Sequence, residues 1–201
     1  MTKVIADISM SLDGFVAGVG VDLEHGLGIG GEGIHDWVLQ RPRSDADQAV
    51  LDRGFEETGA VVMGRRLFDI VDGPHGWDDE VGYGHDQDQS VAPPCFVVTH
   101  NPPAHWRLGA RFRFVTDGVV AAVDRARTAA GAKNVVIMGG AHVINQCLTN
   151  GLVEELRLHL SPLLMGGGAR LFDGVRPTAL RQREVIVSPR ATHATYDVVA
   201  S

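Results

Sequence analysis

A pair of glycines, a pair of arginines and two carboxylates are the residues whose types and positions in this chain could do chemistry. Asn134-Val-Val-Ile-Met-Gly-Gly-Ala-His142 reads as an apolar strand that stops at Gly139 and Gly140 and turns at once into a helix pattern. The first NH groups of such a helix have no partner within it and carry partial positive charge, so a pyrophosphate can sit there if no side chain blocks it. Glycine supplies that clearance, although an ordinary tight strand-to-helix turn fits the same residues equally well. Gly64-Arg65-Arg66 also follows a strand pattern. It would hold two cations where open α/β sheets bind ligands, with a phosphate as a bidentate partner for arginine. Thr99-His100-Asn101-Pro102 ends another apolar run and offers a hydroxyl, an imidazole and an amide. Asp7 lies within Val4-Ile-Ala-Asp-Ile8, where a carboxylate is costly in a buried strand unless it lines a pocket or meets backbone NH groups.

Other patterns carry less. Gly28-Ile-Gly-Gly-Glu-Gly33 matches G-x-G-x-x-G in letters, but no apolar strand precedes it and no helix pattern follows, so it reads as a loop. Nine histidines, His100 and His105 among them, show no metal-ligand spacing, and no metal site is expected. Cys95 and Cys147 lie in or beside apolar runs without CxxC spacing and read as buried thiols in a reducing compartment.

These candidates need a scaffold of alternating strands and helices. Strands are expected at Lys3 to Ser9, Ala60 to Met63, Cys95 to Thr99, Asn134 to Met138 and Leu152 to Leu160. A closing hairpin joins Arg183 to Ser188 with Thr192 to Val199. Helices are expected from an N-cap at Ser44 to about Thr58 with Gly59 as its stop, from Arg65 through Val71, from Thr116 or Asp117 to Ala130, and from Ala141 to Asn150. The glycine-rich stretch from Val19 to Gly33 reads as a flexible flap, and 72–94 as a second long surface loop. The pattern predicts one α/β domain over 1–201, with a mostly parallel central sheet, helices on both faces and a C-terminal antiparallel hairpin.

With 201 residues, 44% hydrophobic and 21% charged, the chain is large enough for one sizeable core. A formal net charge of −7 disfavours nucleic acid as a partner and leaves a small molecule as the expected ligand. No signal-peptide pattern and no membrane-length apolar run is present, so a cytoplasmic protein without membrane contact is expected.

Together Ser11-Leu-Asp-Gly-Phe-Val-Ala-Gly18, Val61-Val-Met-Gly-Arg65, Phe96-Val-Val-Thr99, Val135-Val-Ile-Met-Gly-Gly140 and Leu163-Leu-Met-Gly-Gly-Gly168 resemble the dihydrofolate reductase-like superfamily. The closer likeness is to its branch similar to the C-terminal reductase domain of bacterial riboflavin biosynthesis, and it spans nearly the whole chain. The resemblance implies NADPH as cofactor. By motif position it places Ala6 against the nicotinamide amide through its backbone, and Val16 and Gly18 in the loop closing over the ring. Gly64, Arg65, Arg66 and Leu67 fall at the adenosine phosphates, Thr99 and His100 at the 2′-phosphate. Met138, Gly139, Gly140, Ala141, His142, Val143 and Ile144 fall at the pyrophosphate. A cis peptide between Gly139 and Gly140 is also implied, as is a homodimer, for which the exposed edge of the terminal hairpin gives a second reason.

Counting back from Gly64 sets Asp47 and Gln48 near the position of the acid that assists pterin protonation in folate reductases, without the matching local motif. Folate reduction is therefore not expected. The expected activity is NADPH-dependent hydride transfer to a C=N or C=O carbon of a small heterocycle, with Asp47 and Asp7 as candidate proton sources. The alternative is a non-catalytic nucleotide or small-molecule binding protein on the same fold.

Overall fold

The computed structural model describes residues 2–199. Among the described residues ten strands are present: β1 Val4–Ser11, β2 Phe15–Ala17, β3 Thr58–Gly64, β4 Cys95–Val98, β5 Phe112–Val115, β6 Asn134–Gly139, β7 Glu155–Ser161, β8 Ala169–Arg170, β9 Leu180–Val187 and β10 Thr192–Val198. The helices are α1 Asp36–Leu39, α2 Asp45–Glu57, α3 Arg65–Val71, α4 Gly118–Ala130 and α5 Ala141–Thr149. Eight strands form the main sheet in the order β5-β4-β3-β6-β1-β7-β10-β9, while β2 and β8 pair separately. From β5 to β7 all neighbours are parallel; β10 joins β7 antiparallel and β9 closes the edge antiparallel to β10. This is the fold expected of the sequence.

Alternation along β3 shows how the two faces are covered. Ala60 and Val62 join the core made by α4 and α5 through Ala122, Val123, Ala126, Val143 and Ile144. Val61 and Met63 point the other way, to Phe68 and Val71 of α3. Continuous apolar runs in β3, β4 and β6 follow from this burial on both sides. Beyond β1 the second face changes character: Trp37, Val50 and Ala191 form a small separate core beneath α1 and α2. Ser44 caps α2, accepting from the Asp47 amide at 3.1 Å and donating its hydroxyl to Asp47 Oδ2 at 2.7 Å.

Several expected boundaries move. Gly59 does not stop α2; Thr58 does, and Gly59 lies inside β3, where a Cβ would come within 2.6 Å of the Ala130 carbonyl oxygen. Phe112–Val115 is a strand where none was expected, and β9 begins three residues earlier than expected. The glycine-rich stretch expected to be a flexible flap carries backbone hydrogen bonds along part of its length. Gly18 N donates to Leu27 O at 2.7 Å and Ile29 N to Val19 O at 2.9 Å. A Cβ on Gly31 would sit 2.0 Å from Leu27 O, so glycine there allows backbone to touch backbone. Glu32–His35 then forms a 3-10 turn leading into α1, which buries Ile34 and Trp37.

Candidate active site

A cleft of about 1520 Å³ crosses the C-terminal ends of the parallel strands. Its position follows from strand pairing: β1 stays paired with β7 as far as Ser11 but leaves β6 after Ala6 and Ile137. The sheet therefore forks just beyond Ala6, and ligands of open α/β sheets bind where strands part.

One half of the cleft is lined by Gly64, Arg65, Arg66, Leu67, Thr99, His100, Met138, Gly140, Ala141, His142 and Val143. Gly140 is the N-cap of α5 and no side chain caps the helix, so the NH groups of Ala141 and His142 have no partner within it, while Val143 N donates to Gly140 O at 3.0 Å. A Cβ on Gly140 would meet nothing within 4 Å, which leaves the approach open. The Gly139–Gly140 peptide is cis. One turn further on, the buried Oδ1 of Asn145 has no hydrogen-bond partner among the described residues, and Asn145 also lines the cleft. A lone asparagine inside a helix carries no signal in the sequence, so Asn145 is not among the expected site residues.

The two arginines differ. Arg65 donates to Asp69 Oδ1 at 2.7 Å and to the carbonyl of Asn101, so its guanidinium already ties α3 to the end of β4. Arg66 is exposed and makes no ion pair among the described residues. Thr99 hydrogen-bonds the backbone of Asn101. Of the other expected cofactor residues, Val16 lines the cleft. Ala6, Gly139 and Ile144 are buried beneath it, and Gly18 packs against Ile29 and Gly168 behind the cleft wall.

The other half is built on polar side chains of the central strands. Asp7 of β1 accepts from His159 of β7 at 2.9 Å, His159 Nδ1 lies 2.7 Å from Nδ1 of His193 on β10, and His193 Nε2 lies 2.9 Å from Asp47 Oδ1. The strand register produces this line: His159 sits opposite Ser9 on one side and His193 on the other, on the face that α1 and α2 cover. Trp37 packs on both imidazoles with ring centroids at 4.5 and 4.9 Å, and donates its indole NH to Ser9 Oγ at 2.9 Å. The two carboxylates suspected from the sequence are thus the ends of one chain. The histidines that join them were missed, being 34 residues apart with no motif between them.

Burial opposes ionisation of Asp7, but the charge and hydrogen bond of His159, with the charges of Arg157 and His193, hold its carboxyl below the ordinary range. Burial likewise opposes ionisation of Asp47, and hydrogen bonds from Ser188, Ser44 and His193 outweigh it. Burial and the charge of His159 push His193 down against the pull of Asp47 and Asp7. Burial and His159 push His35, at the cleft wall, down to about 4. Tyr83, bonded to Thr58 Oγ1 at 2.9 Å, is held above its usual value by burial and by Asp7.

The profile of the RibD C-terminal domain matches residues 2–194 of this chain. YyaP of Bacillus subtilis (strain 168), an uncharacterized protein, is 25% identical over 187 residues, covering 87% of this chain and 82% of YyaP. A crystal structure from Shewanella sp. PV-4 superposes with a TM-score of 0.70 at 23% identity over all of both chains. The diaminohydroxyphosphoribosylaminopyrimidine deaminase/5-amino-6-(5-phosphoribosylamino)uracil reductase of Thermotoga maritima gives a TM-score of 0.61 at 14% identity. That match covers 98% of this chain and 57% of the Thermotoga protein.

Proposed function

The chain belongs to the RibD C-terminal domain family, a family of reductase domains, and from that premise we propose that it is an NADPH-dependent reductase of a small heterocycle. The observation that carries this reading is one cleft with two unlike ends: an uncapped helix start with clearance at Gly140, and Asp7 at the far side of the sheet fork. NADPH would be held by the α5 NH groups, Arg66, Thr99 and His100, and when bound would supply hydride. The chain's own task is then to orient a C=N or C=O group near Asp7, exclude water and furnish a proton. Trp37, Tyr83 and His35 line that side and leave Asp7 and Arg157 as its ionic groups nearest the fork.

Two measurements test the proposal. NADPH titration by fluorescence should saturate with the wild type and fail with Gly140→Val. At this position φ is −72° and a Cβ would meet nothing within 4 Å beyond its chain neighbours, and an unchanged circular dichroism spectrum checks that the variant is folded. Single-turnover oxidation of bound NADPH should then occur with members of a panel of imine and carbonyl heterocycles. Equal NADPH affinity in the variant refutes the cofactor assignment. Tight binding with no oxidation across the panel supports a sequestering protein instead.

A further inference from the structure

We propose that Asp7, His159, His193 and Asp47 form a single proton-holding relay, closed at Asp47 and open to the cleft at Asp7, which stores the proton that substrate receives. The inference rests on the reductase reading for its use, but not for the stored proton itself.

Three contacts of 2.9, 2.7 and 2.9 Å join the four side chains, and each needs one hydrogen between its heavy atoms. Two carboxylates and two neutral imidazoles hold only two such hydrogens. If both Nε2 atoms donate to their aspartates, two bare Nδ1 lone pairs face each other at 2.7 Å, which is repulsive. A third proton removes the conflict. The relay then carries two carboxylates and one imidazolium. The third proton is placed on the half next to Asp7, the end of the relay that opens to the cleft, while burial holds His193 toward its neutral form.

The ends are unequal. The Asp47 side chain is 0% exposed and is closed off by Ser44, whereas the Asp7 side chain is 23% exposed and lines the cleft. His159 and His193 also border the cleft but are only 6% and 5% exposed under Trp37, so the proton leaves through Asp7. The charged and titratable groups that face the relay are Arg157 beside Asp7, with its partners Glu57 and Glu155, and the neutral His35 and Tyr83. Ser9, Ser44 and Ser188 complete the surround.

The step balances. A substrate C=N carbon that takes hydride forms a C–H bond and leaves its π electron pair on nitrogen. The His159 Nε2–H bond breaks as an O–H bond forms on Asp7. That O–H bond breaks as an N–H bond forms on substrate. Asp7 returns to carboxylate, His159 is left neutral, and the relay regains one proton from water after product leaves. Asp7, ionised at rest, touches substrate; His159, His193 and Asp47 are positioning and proton-storing residues.

Two readouts test this. In the intact protein labelled with ¹⁵N-histidine, NMR near neutral pH should show three ring protons shared by His159 and His193. One should be a far-downfield proton between the Nδ1 atoms, lost in His193→Gln. Two bare Nδ1 atoms overturn the relay whether or not any substrate is reduced. In single turnover with saturating NADPH and a reducible heterocycle, the rate should fall as pH rises through loss of the third proton. Asp47→Asn removes a negative charge that holds it, and should move that limb down by about one pH unit or more with NADPH affinity unchanged. Asp7→Asn should lower the rate roughly 100-fold or more. A folded Asp47→Asn protein whose pH profile superposes on the wild type overturns proton supply by the relay. A correct NMR signature with no turnover on any substrate refutes the reductase reading alone.

Discussion

At the residue scale, charge that is already committed separates Arg65 from Arg66. The sequence sets them side by side, and nothing in it says which one is spent; the 2.7 Å bond to Asp69 spends Arg65 on its own helix. An i,i+4 pair of this kind contributes only a few tenths of a kcal/mol to a helix, but it fixes the guanidinium against the turn after β4. Arg66 is left to meet an anion. Arg66→Ala should therefore weaken NADPH by about 1.5 kcal/mol, a charge-assisted hydrogen bond at an exposed site, while NADH changes little. Titration calorimetry with both cofactors reads this directly, and equal losses for the two would remove Arg66 from 2′-phosphate recognition.

At the element scale, what the sequence made legible were the runs with local punctuation. β3, β4 and β6 are apolar and end at glycine or at Thr99, and α2 opens on Ser44, so each announces itself. β5 does not: Phe112-Arg-Phe-Val115 is four residues long, carries the exposed Arg113 and has neither glycine nor proline at its ends. The relay was half legible. Asp7 stood out because a carboxylate in a central strand needs a reason, but its reason is on β7 and β10 and depends on a register that no local pattern encodes. The loop between β1 and β2 shows how two distant motifs depend on each other. Asp13 accepts from Ser11 Oγ at 2.6 Å and from the amides of Met165 and Gly166 at 3.1 and 2.7 Å, so the Ser11–Gly18 and Leu163–Gly168 motifs are one clasp. The Ser11 hydroxyl, the Gly166 amide and the Met165 amide bring its carboxyl down to about 2 despite desolvation. A carboxyl lowered on folding contributes stability above its unfolded pKa and loses it as pH falls through the folded value. The clasp should therefore hold at pH 5 and loosen as pH falls from about 4 toward 2. Hydrogen exchange at Met165 and Gly166 reports it: Asp13→Ala should give fast exchange at both amides at pH 5. Unchanged protection there would show that the backbone holds the clasp without the carboxylate.

At the scale of the whole molecule, the sheet is well covered at one end and bare at the other. Register sets Leu180 opposite Val198 and Val185 opposite Ala194, which in turn lies opposite Leu158, so these side chains belong to the face that α4 and α5 cover elsewhere. Neither helix reaches β9. Leu180, Val185 and Val187 are 42%, 44% and 72% exposed on a strand whose outer edge has no partner among the described residues. Apolar side chains beside an open sheet edge invite a second strand, and the simplest closed solution is a twofold dimer that buries the same surface on both copies. The charges on β9 do not guard this face: Arg181 and Arg183 turn to Asp197, and Glu184 to Arg53, on the opposite side. We therefore expect light scattering to report about twice the 21.5 kDa chain mass, and Val187→Glu to halve it with the circular dichroism spectrum unchanged. A wild-type particle of 21.5 kDa across a wide concentration range would refute the dimer. A dimer indifferent to Val187→Glu would place the contact on another surface and leave the exposed β9 face without a partner.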